Sequence, residues 1–408
     1  MKEITGGVTA AKGFQAASTA AGIKYKDRKD MAMIYSEVPC KAAGTFTTNI
    51  VKAAPVKWDH NVVYNSKAAQ AVVINAGIAN ACTGEEGMGY CKQTAEKVEK
   101  VLGIAADEVL VASTGVIGMQ LPIDRICNGI DAMVPQLKGD TGSGTEASKA
   151  IMTTDTKNKE VAVTIELGGK TVTIGGMCKG SGMIHPNMGT MLSYVVTDAA
   201  VTKEVLEQIQ KTAAHTTFNM VTVDGDTSTN DSAVILANGC AGNPVIDRAE
   251  GEDYEKFYEA VYYISEWLAK AIAADGEGAS RMIEVDLKGA QTEETARLCA
   301  RSVASSSLVK AAVHGSDANW GRVLCAMGYS GADFDQGKVD VAFSSEKGSI
   351  DVFLQGVPLA FDEERALEIL REDVIHIDID MHAGVCAAKA WGCDLTKEYV
   401  AINGDYRS

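Results

Sequence analysis

Cys178-Lys-Gly-Ser-Gly-Met-Ile-His-Pro-Asn-Met-Gly-Thr190-Met-Leu192 is the densest chemistry-bearing stretch of the chain. A polar, glycine-rich loop, broken by Pro186, runs straight into an apolar run whose first residue is Thr190. Taken alone, it reads as a loop followed by a strand over Thr190 to Thr197, with a β-branched residue favoured at the strand start. Just upstream, Glu160 to Ile165 and Thr171 to Met177 alternate as two strands of a hairpin around Gly168-Gly169. Gly169-Lys170-Thr171 has the ending of a phosphate loop. Thr164 stands where that loop needs its first glycine, and β-rich segments flank it on both sides, so it reads as the hairpin turn.

Outward from this stretch, short apolar runs alternate with amphipathic segments. Ala71 to Asn75 and Glu108 to Ala112 read as buried strands, with a helix over Tyr90 to Leu102 between them. Pro122 suits the first turn of a helix running towards Leu137, where its missing N–H costs nothing. A further helix is expected over Lys203 to Ala214. Glu252 to Ala274 carries Tyr254, Phe257, Tyr258, Val261, Ile264, Leu268 and Ile272 at core-facing helical spacing. After Asp275-Gly-Glu-Gly278 the pattern changes. Strands at Met282 to Leu287, Lys338 to Phe343, Ile350 to Leu354 and Val374 to Asp380 alternate with helices near Glu294 to Val303 and Glu363 to Arg371. This predicts a main domain over residues 1–281 and a smaller α+β lobe over 282–408.

Composition sets the limits. The 408 residues carry 38 Lys+Arg against 54 Asp+Glu, a formal net charge of −16, which argues against nucleic-acid binding because phosphate neutralisation needs surplus cations. Forty glycines against seven prolines point to many backbone-lined corners. No run is long and apolar enough for a membrane span, and Met1 to Phe14 has no apolar signal region. The ten cysteines show no C-x-x-C spacing, so reduced cytoplasmic thiols are expected and no metal or other cofactor is called for.

Several short motifs then fall in one order. They are Gly6-Gly-Val-Thr-Ala-Ala-Lys-Gly-Phe14, Asn75 to Gly84 (NAGIANACTG), Ala112-Ser-Thr-Gly115 and Met152-Thr-Thr-Asp-Thr156. Lys179 to Leu192, Asp224 to Asp231 (DGDTSTND) and Asp275 to Gly278 follow, then Leu308-Val-Lys310 with Asp317-Ala-Asn-Trp-Gly-Arg322, and finally Tyr399 to Ser408. In this set the chain resembles the ornithine acetyltransferase family, also called the glutamate N-acetyltransferase or ArgJ family. The resemblance implies an α/β fold, a layered αββα sandwich of the self-processing N-terminal-nucleophile type. It also implies cleavage between Gly189 and Thr190, giving an α chain 1–189 and a β chain 190–408, with processed pairs assembled as α2β2. Gly189 stands where many relatives have Ala.

Residue by residue, the resemblance makes Thr190 the nucleophile, with its freed α-amine as base. A Thr hydroxyl needs such a base, and an α-amine of pKa about 7.7–8.0 is partly neutral near pH 7. Thr114 and Gly115 become the oxyanion hole, through a hydroxyl and a backbone N–H. Thr153, Lys179, Thr190, Glu277, Asn403 and Ser408 become substrate contacts. Lys179 would pair with the substrate carboxylate and keep the α-amine neutral by like-charge repulsion. Glu277 suits the δ-ammonium of ornithine. Ser408 keeps the hydroxyl of the Thr that commonly ends the family's chains. Without the resemblance these positions read as a strand-ending turn, solvated loop charges and a frayed terminus.

The implied reaction is ping-pong transfer of acetyl from N2-acetyl-L-ornithine through acetyl-Thr190 to L-glutamate, in arginine biosynthesis, in the cytoplasm. Acetyl-CoA stays open as a second acetyl donor. Two other readings remain open: a self-processing N-terminal-nucleophile aminopeptidase or amidase, which delivers the acyl group to water, and an acidic scaffold with purely structural glycine loops.

Overall fold

The structure, a computed structural model, describes residues 1–185 and 191–405. These divide into two compact units. The first comprises 1–180, 191–218 and 227–268; the second comprises 181–185, 219–226 and 269–405.

In chain order the first unit contains β1 (Lys2–Ile4), β2 (Phe14–Thr19), β3 (Met31–Phe46), α1 (Ala54–Asn65), β4 (Ala69–Ile78), α2 (Gly84–Leu102) and β5 (Val109–Val116). Next come α3 (Ile123–Met133), α4 (Thr141–Ala150), β6 (Lys159–Leu167), β7 (Lys170–Lys179), β8 (Leu192–Thr197), α5 (Lys203–Thr216), β9 (Ser232–Ala237) and most of α6 (Glu252–Ala274). The strands run in the order β1-β6-β7-β8-β9-β3-β4-β5, with β2 also on β3. The long β3 divides this path. Met31 to Ser36 pairs with β2, Met31 to Tyr35 also pairs with β4, and Lys41 to Phe46 pairs with β9. Between these halves the β4 register slips across the exposed Glu37-Val38-Pro39. Pro39 lacks the N–H a ladder needs, so the strand turns there from one sheet into the other.

Two layers of strand therefore share one core. Ala32 and Ile34 of β3, Val72 and Ile74 of β4, and Leu110 and Ala112 of β5 meet Met177 of β7, Tyr194 and Val196 of β8, and Val234 and Leu236 of β9. The alternate residues Met31, Met33, Val73 and Val111 face outward onto Cys91, Ala95 and Val98 of α2 and Ile126 and Ile130 of α3. On the outer face of the other layer, Gly176 faces Ile264 and Leu268 of α6, and Gln210 of α5 donates to Ala233 O at 3.0 Å. The layers run helix, sheet, sheet, helix: the expected αββα sandwich. β5 lies at the edge of its sheet, and α1 covers that edge. Trp58 Nε1 donates to Val109 O at 2.9 Å, and Asp59 Oδ1 accepts from Val111 N at 2.7 Å, so the edge offers no free ladder there.

The second unit contains β10 (Met282–Ala290), α7 (Glu293–Ser305), α8 (Ser307–His314), α9 (Trp320–Gly328), β11 (Asp340–Ser345) and β12 (Gly348–Leu354). It ends with β13 (Val357–Pro358), α10 (Glu363–Leu370), β14 (Val374–Asp380), β15 (Cys386–Cys393) and α11 (Lys397–Gly404). Its six strands run β13-β12-β11-β14-β10-β15, with β10 and β14 parallel and the other pairs antiparallel.

Several elements differ from expectation at their ends. α2 begins at Gly84, not Tyr90: Gly84, Gly87 and Gly89 hide the apolar period, while Glu85 and Glu86 suit the positive end of the helix dipole. Pro122 is the N-cap of α3 and not a first-turn residue, and the α-helix stops at Met133, passing into a 3-10 turn that contains Pro135. Residues 336–338 form a 3-10 turn, so β11 starts at Asp340. Among the described residues, no helix is long and apolar enough to cross a membrane.

Candidate active site

β5 delivers Ser113, Thr114 and Gly115 at its end, in register with Asn75, Ala76 and Gly77 of the parallel β4. At this point the two backbones nearly touch. Gly115 has φ +129, and a Cβ on it would overlap the backbone of Gly77, so no side chain fits. Thr114 is buried at 9% exposure.

Lys179 closes β7, and its ammonium donates to Thr114 Oγ1 at 3.2 Å with both side chains buried. A hydroxyl that accepts from an ammonium has its own O–H free to aim elsewhere, and the bond polarises it into a stronger donor. The sequence reading thus placed Thr114 and Lys179 separately, and the fold brings them into contact.

Asp155 is the residue that reading missed. Its carboxylate is fully buried, Oδ1 accepting from Lys159 Nζ at 2.7 Å and from Gly180 N at 2.8 Å. Oδ2 accepts from Thr153 N at 3.0 Å, which ties the Thr153 backbone to the same anchor. Burial would push this carboxyl up, but Lys179 and then Lys159 pull it down to about 2. Asp155 sits within the quoted motif Met152 to Thr156, yet Lys159 lay outside every motif. Nothing local in the sequence marks a lysine on a strand as buried.

The described chain resumes at Met191, whose carbonyl accepts from Ser232 N at 2.8 Å. Leu192 then pairs with Lys179 on one side and Ser232 on the other. Gly189, Thr190 and Ser408 lie outside the described residues.

In the second unit, Glu277 is 6% exposed and Asn403 of α11 donates to its Oε2 at 2.7 Å. Glu277 N donates to Ser181 O at 2.8 Å, and a Cβ on Gly182 would overlap the Glu277 carboxylate, so glycine is needed for that approach. Asp224 caps the same segment, accepting from Met183 N at 2.6 Å and Ile184 N at 2.9 Å. His185 lies 3.0 Å from Thr222 Oγ1, and burial, with Arg301 adding to it, pushes its imidazole down to about 4. It is neutral near pH 7.

Chemically, the first unit offers a polarised hydroxyl, a glycine turn and the buried ammoniums of Lys159 and Lys179 beside the Asp155 carboxylate. The second offers a buried carboxylate held by an amide.

The ArgJ family model matches residues 15–408. The arginine biosynthesis bifunctional protein ArgJ of Symbiobacterium thermophilum is 52% identical over 410 residues, covering 100% of both chains. Its namesake from Thermotoga neapolitana is 49% identical over 398 residues, 97% of this chain and 99% of that one. Among solved structures, the crystal structure of arginine biosynthesis bifunctional protein argJ from Bacillus halodurans is 43% identical. It covers 52% of this chain and 97% of its own, with a TM-score of 0.50. With a match that runs from Gln15 to the last residue, and relatives of the same length sharing about half their residues with it, the chain belongs to the ArgJ family.

Proposed function

We propose that the protein is a glutamate N-acetyltransferase of arginine biosynthesis, moving acetyl from N2-acetyl-L-ornithine to L-glutamate through an acetyl-threonine. The observation that carries this reading is the buried contact of Lys179 with Thr114 beside the Gly115 turn. It supports a polarised hydroxyl and a backbone N–H acting together on one developing oxyanion.

Maturation comes first. Thr190 Oγ attacks the Gly189 carbonyl, the Gly189–Thr190 C–N bond breaks, and the resulting ester is opened by water. This leaves a carboxylate on Gly189 and a free α-amine on Thr190. In turnover that amine takes the Thr190 hydroxyl proton as Oγ attacks the acetyl carbonyl. Thr114 and Gly115 hold the oxyanion, and it collapses with loss of ornithine, whose nitrogen receives the proton. The glutamate amine then attacks acetyl-Thr190, and N-acetyl-L-glutamate leaves as the hydroxyl is restored.

Lys179 supplies the charge for a substrate carboxylate, and Thr153 a hydroxyl contact. Glu277, held by Asn403, matches the δ-ammonium of ornithine, with Ser408 at the tail. The word bifunctional in the relatives' names supports a second acetyl donor, and we assign acetyl-CoA that place. Assembly of processed chains as α2β2 and a cytoplasmic location belong to the same proposal.

The test is acetyl transfer itself. Labelled N2-acetyl-L-ornithine and L-glutamate are expected to yield labelled N-acetyl-L-glutamate with little free acetate. Acetate as the main product, whether or not glutamate is present, would instead mark a hydrolase.

A further inference from the structure

Among the motifs without a task in the reaction so far are Asn75 to Gly84 and Asp224 to Asp231. Their buried asparagines converge on the end of β5. Asn230 is 8% exposed, and its single side-chain nitrogen donates to Ala79 O at 2.5 Å and to Ser113 O at 2.8 Å. An amide nitrogen has two hydrogens, so both are committed to these two carbonyls. Those carbonyls only accept, so they decide which end of the amide points at β5, and Thr229 Oγ1 donates to the remaining Asn230 Oδ1 at 2.6 Å.

Ser113 is gripped from its side chain as well. Its hydroxyl donates to Asn75 Oδ1 at 2.7 Å, and Asn75 Nδ2 donates to Ile78 O at 3.0 Å. Ala79 N also donates to Val116 O at 3.0 Å. The carbonyl of Ser113 shares a peptide plane with the nitrogen of Thr114. Its tilt therefore sets the direction of the Thr114 Cα–Cβ bond and the start of the turn that presents the Gly115 N–H. Trp58 and Asp59 cover the β5 edge at Val109 and Val111, and Asn230 takes the Ser113 carbonyl beyond them, at the entry to the Thr114-Gly115 turn.

We propose that Asn230 is a positioning residue of the oxyanion turn, fixing the Ser113–Thr114 peptide so that the Thr114 hydroxyl and the Gly115 N–H point at one place. This rests on the acetyl-transfer reading above. Donors aimed where charge develops lower the barrier without tightening ground-state binding, so their misalignment lowers kcat and spares KM.

The test is a double-mutant cycle on the full-length protein, with kcat and KM for N2-acetyl-L-ornithine measured per mole of mature enzyme. The arms are wild type, Asn230→Ala, Thr114→Ala and the double variant. Asn230→Ala is expected to lower kcat about 10–100-fold with KM changed by less than about threefold. The double variant is expected to lose less than the product of the two single losses, because with the hydroxyl absent Asn230 has only the Gly115 N–H left to aim. A merely structural asparagine would give multiplying losses, and that outcome, or an Asn230→Ala kcat within about twofold of wild type, overturns the proposal. If Asn230→Ala yields no folded enzyme, Asn230→Ser, which keeps one donor, takes its place in the same cycle. A wild type that moves no acetyl to glutamate overturns the acetyl-transfer reading and this inference with it. An active wild type with uncoupled losses overturns the role of Asn230 alone.

Discussion

Lys179 Nζ stands 3.2 Å from Thr114 Oγ1, although the two residues lie 65 positions apart and enter from different sheet layers. The ammonium makes the threonine hydroxyl an acceptor on one side and so leaves it a donor on the other. Replacing Lys179 with Met keeps the stem and removes the charge. On the proposed chemistry, kcat/KM for acetylornithine falls by roughly 10²-fold, with KM rising because the carboxylate partner is lost as well. Steady-state kinetics on the mature protein check both parts.

Asp155 gives a pH dependence. Its carboxyl is held at about 2 in the folded protein, below its usual 3.8, despite the opposing effect of burial. A depressed carboxylate contributes stability above its unfolded value, and that stability disappears as pH falls from about 4 towards about 2. The expected size is roughly 2–3 kcal/mol. Chemical unfolding across that range should show the loss in wild type and a flatter profile in Asp155→Asn. That variant should also be less stable at pH 7, by about 3–5 kcal/mol, because Lys159 is left buried without its carboxylate.

Gly115 is a steric prediction. Gly115→Ala must place a methyl group into the Gly77 backbone at φ +129, so a loss above about 2 kcal/mol, or no folded protein, is expected. Gly118→Ala is the control. It has φ +84 but open space around the new methyl, and should cost only about 1–2 kcal/mol. Thermal unfolding of the pair separates crowding from backbone strain.

Asp59 runs the other way. Burial pushes its carboxyl well above the usual range, and the Val111 N–H offsets that only in part. A raised carboxyl contributes its stability at low pH and loses it as pH rises through the folded value. Asp59→Asn, which resembles the protonated acid, should therefore cost under about 1 kcal/mol and flatten the fall in stability as pH rises above the usual carboxylate range. Asp59→Ala, leaving Val111 N without its acceptor, should cost about 1–3 kcal/mol.

Strong periods were legible in the sequence. The stripe from Tyr254 to Ile272 gave α6 to the residue, the Gly168-Gly169 turn gave the β6–β7 hairpin, and Val374 to Asp380 gave β14. β3 was not legible, because Glu37, Val38 and Pro39 are exposed in mid-strand and break the alternation where the chain passes between layers. α8 and α9 are too short to show a period. For the site, Thr114, Lys179, Glu277 and Asn403 were named from a family resemblance, and the fold joins them in pairs. Asp155, Lys159 and Asn230 were missed for one physical reason. A buried polar residue is defined by partners distant in sequence, and its local context is an ordinary strand or loop.

In the proposed reaction Thr190 becomes a chain-terminal nucleophile that carries acetyl. Intact-mass analysis of the purified protein beside Thr190→Ala, with N2-acetyl-L-ornithine and then L-glutamate added, tests it most directly. Wild type is expected to give two chains, the second beginning at Thr190, gaining one acetyl group with the donor and losing it to glutamate, while Thr190→Ala stays uncleaved and unmodified. A wild type that remains a single chain of 408 residues, or a Thr190 chain that never gains acetyl, contradicts it.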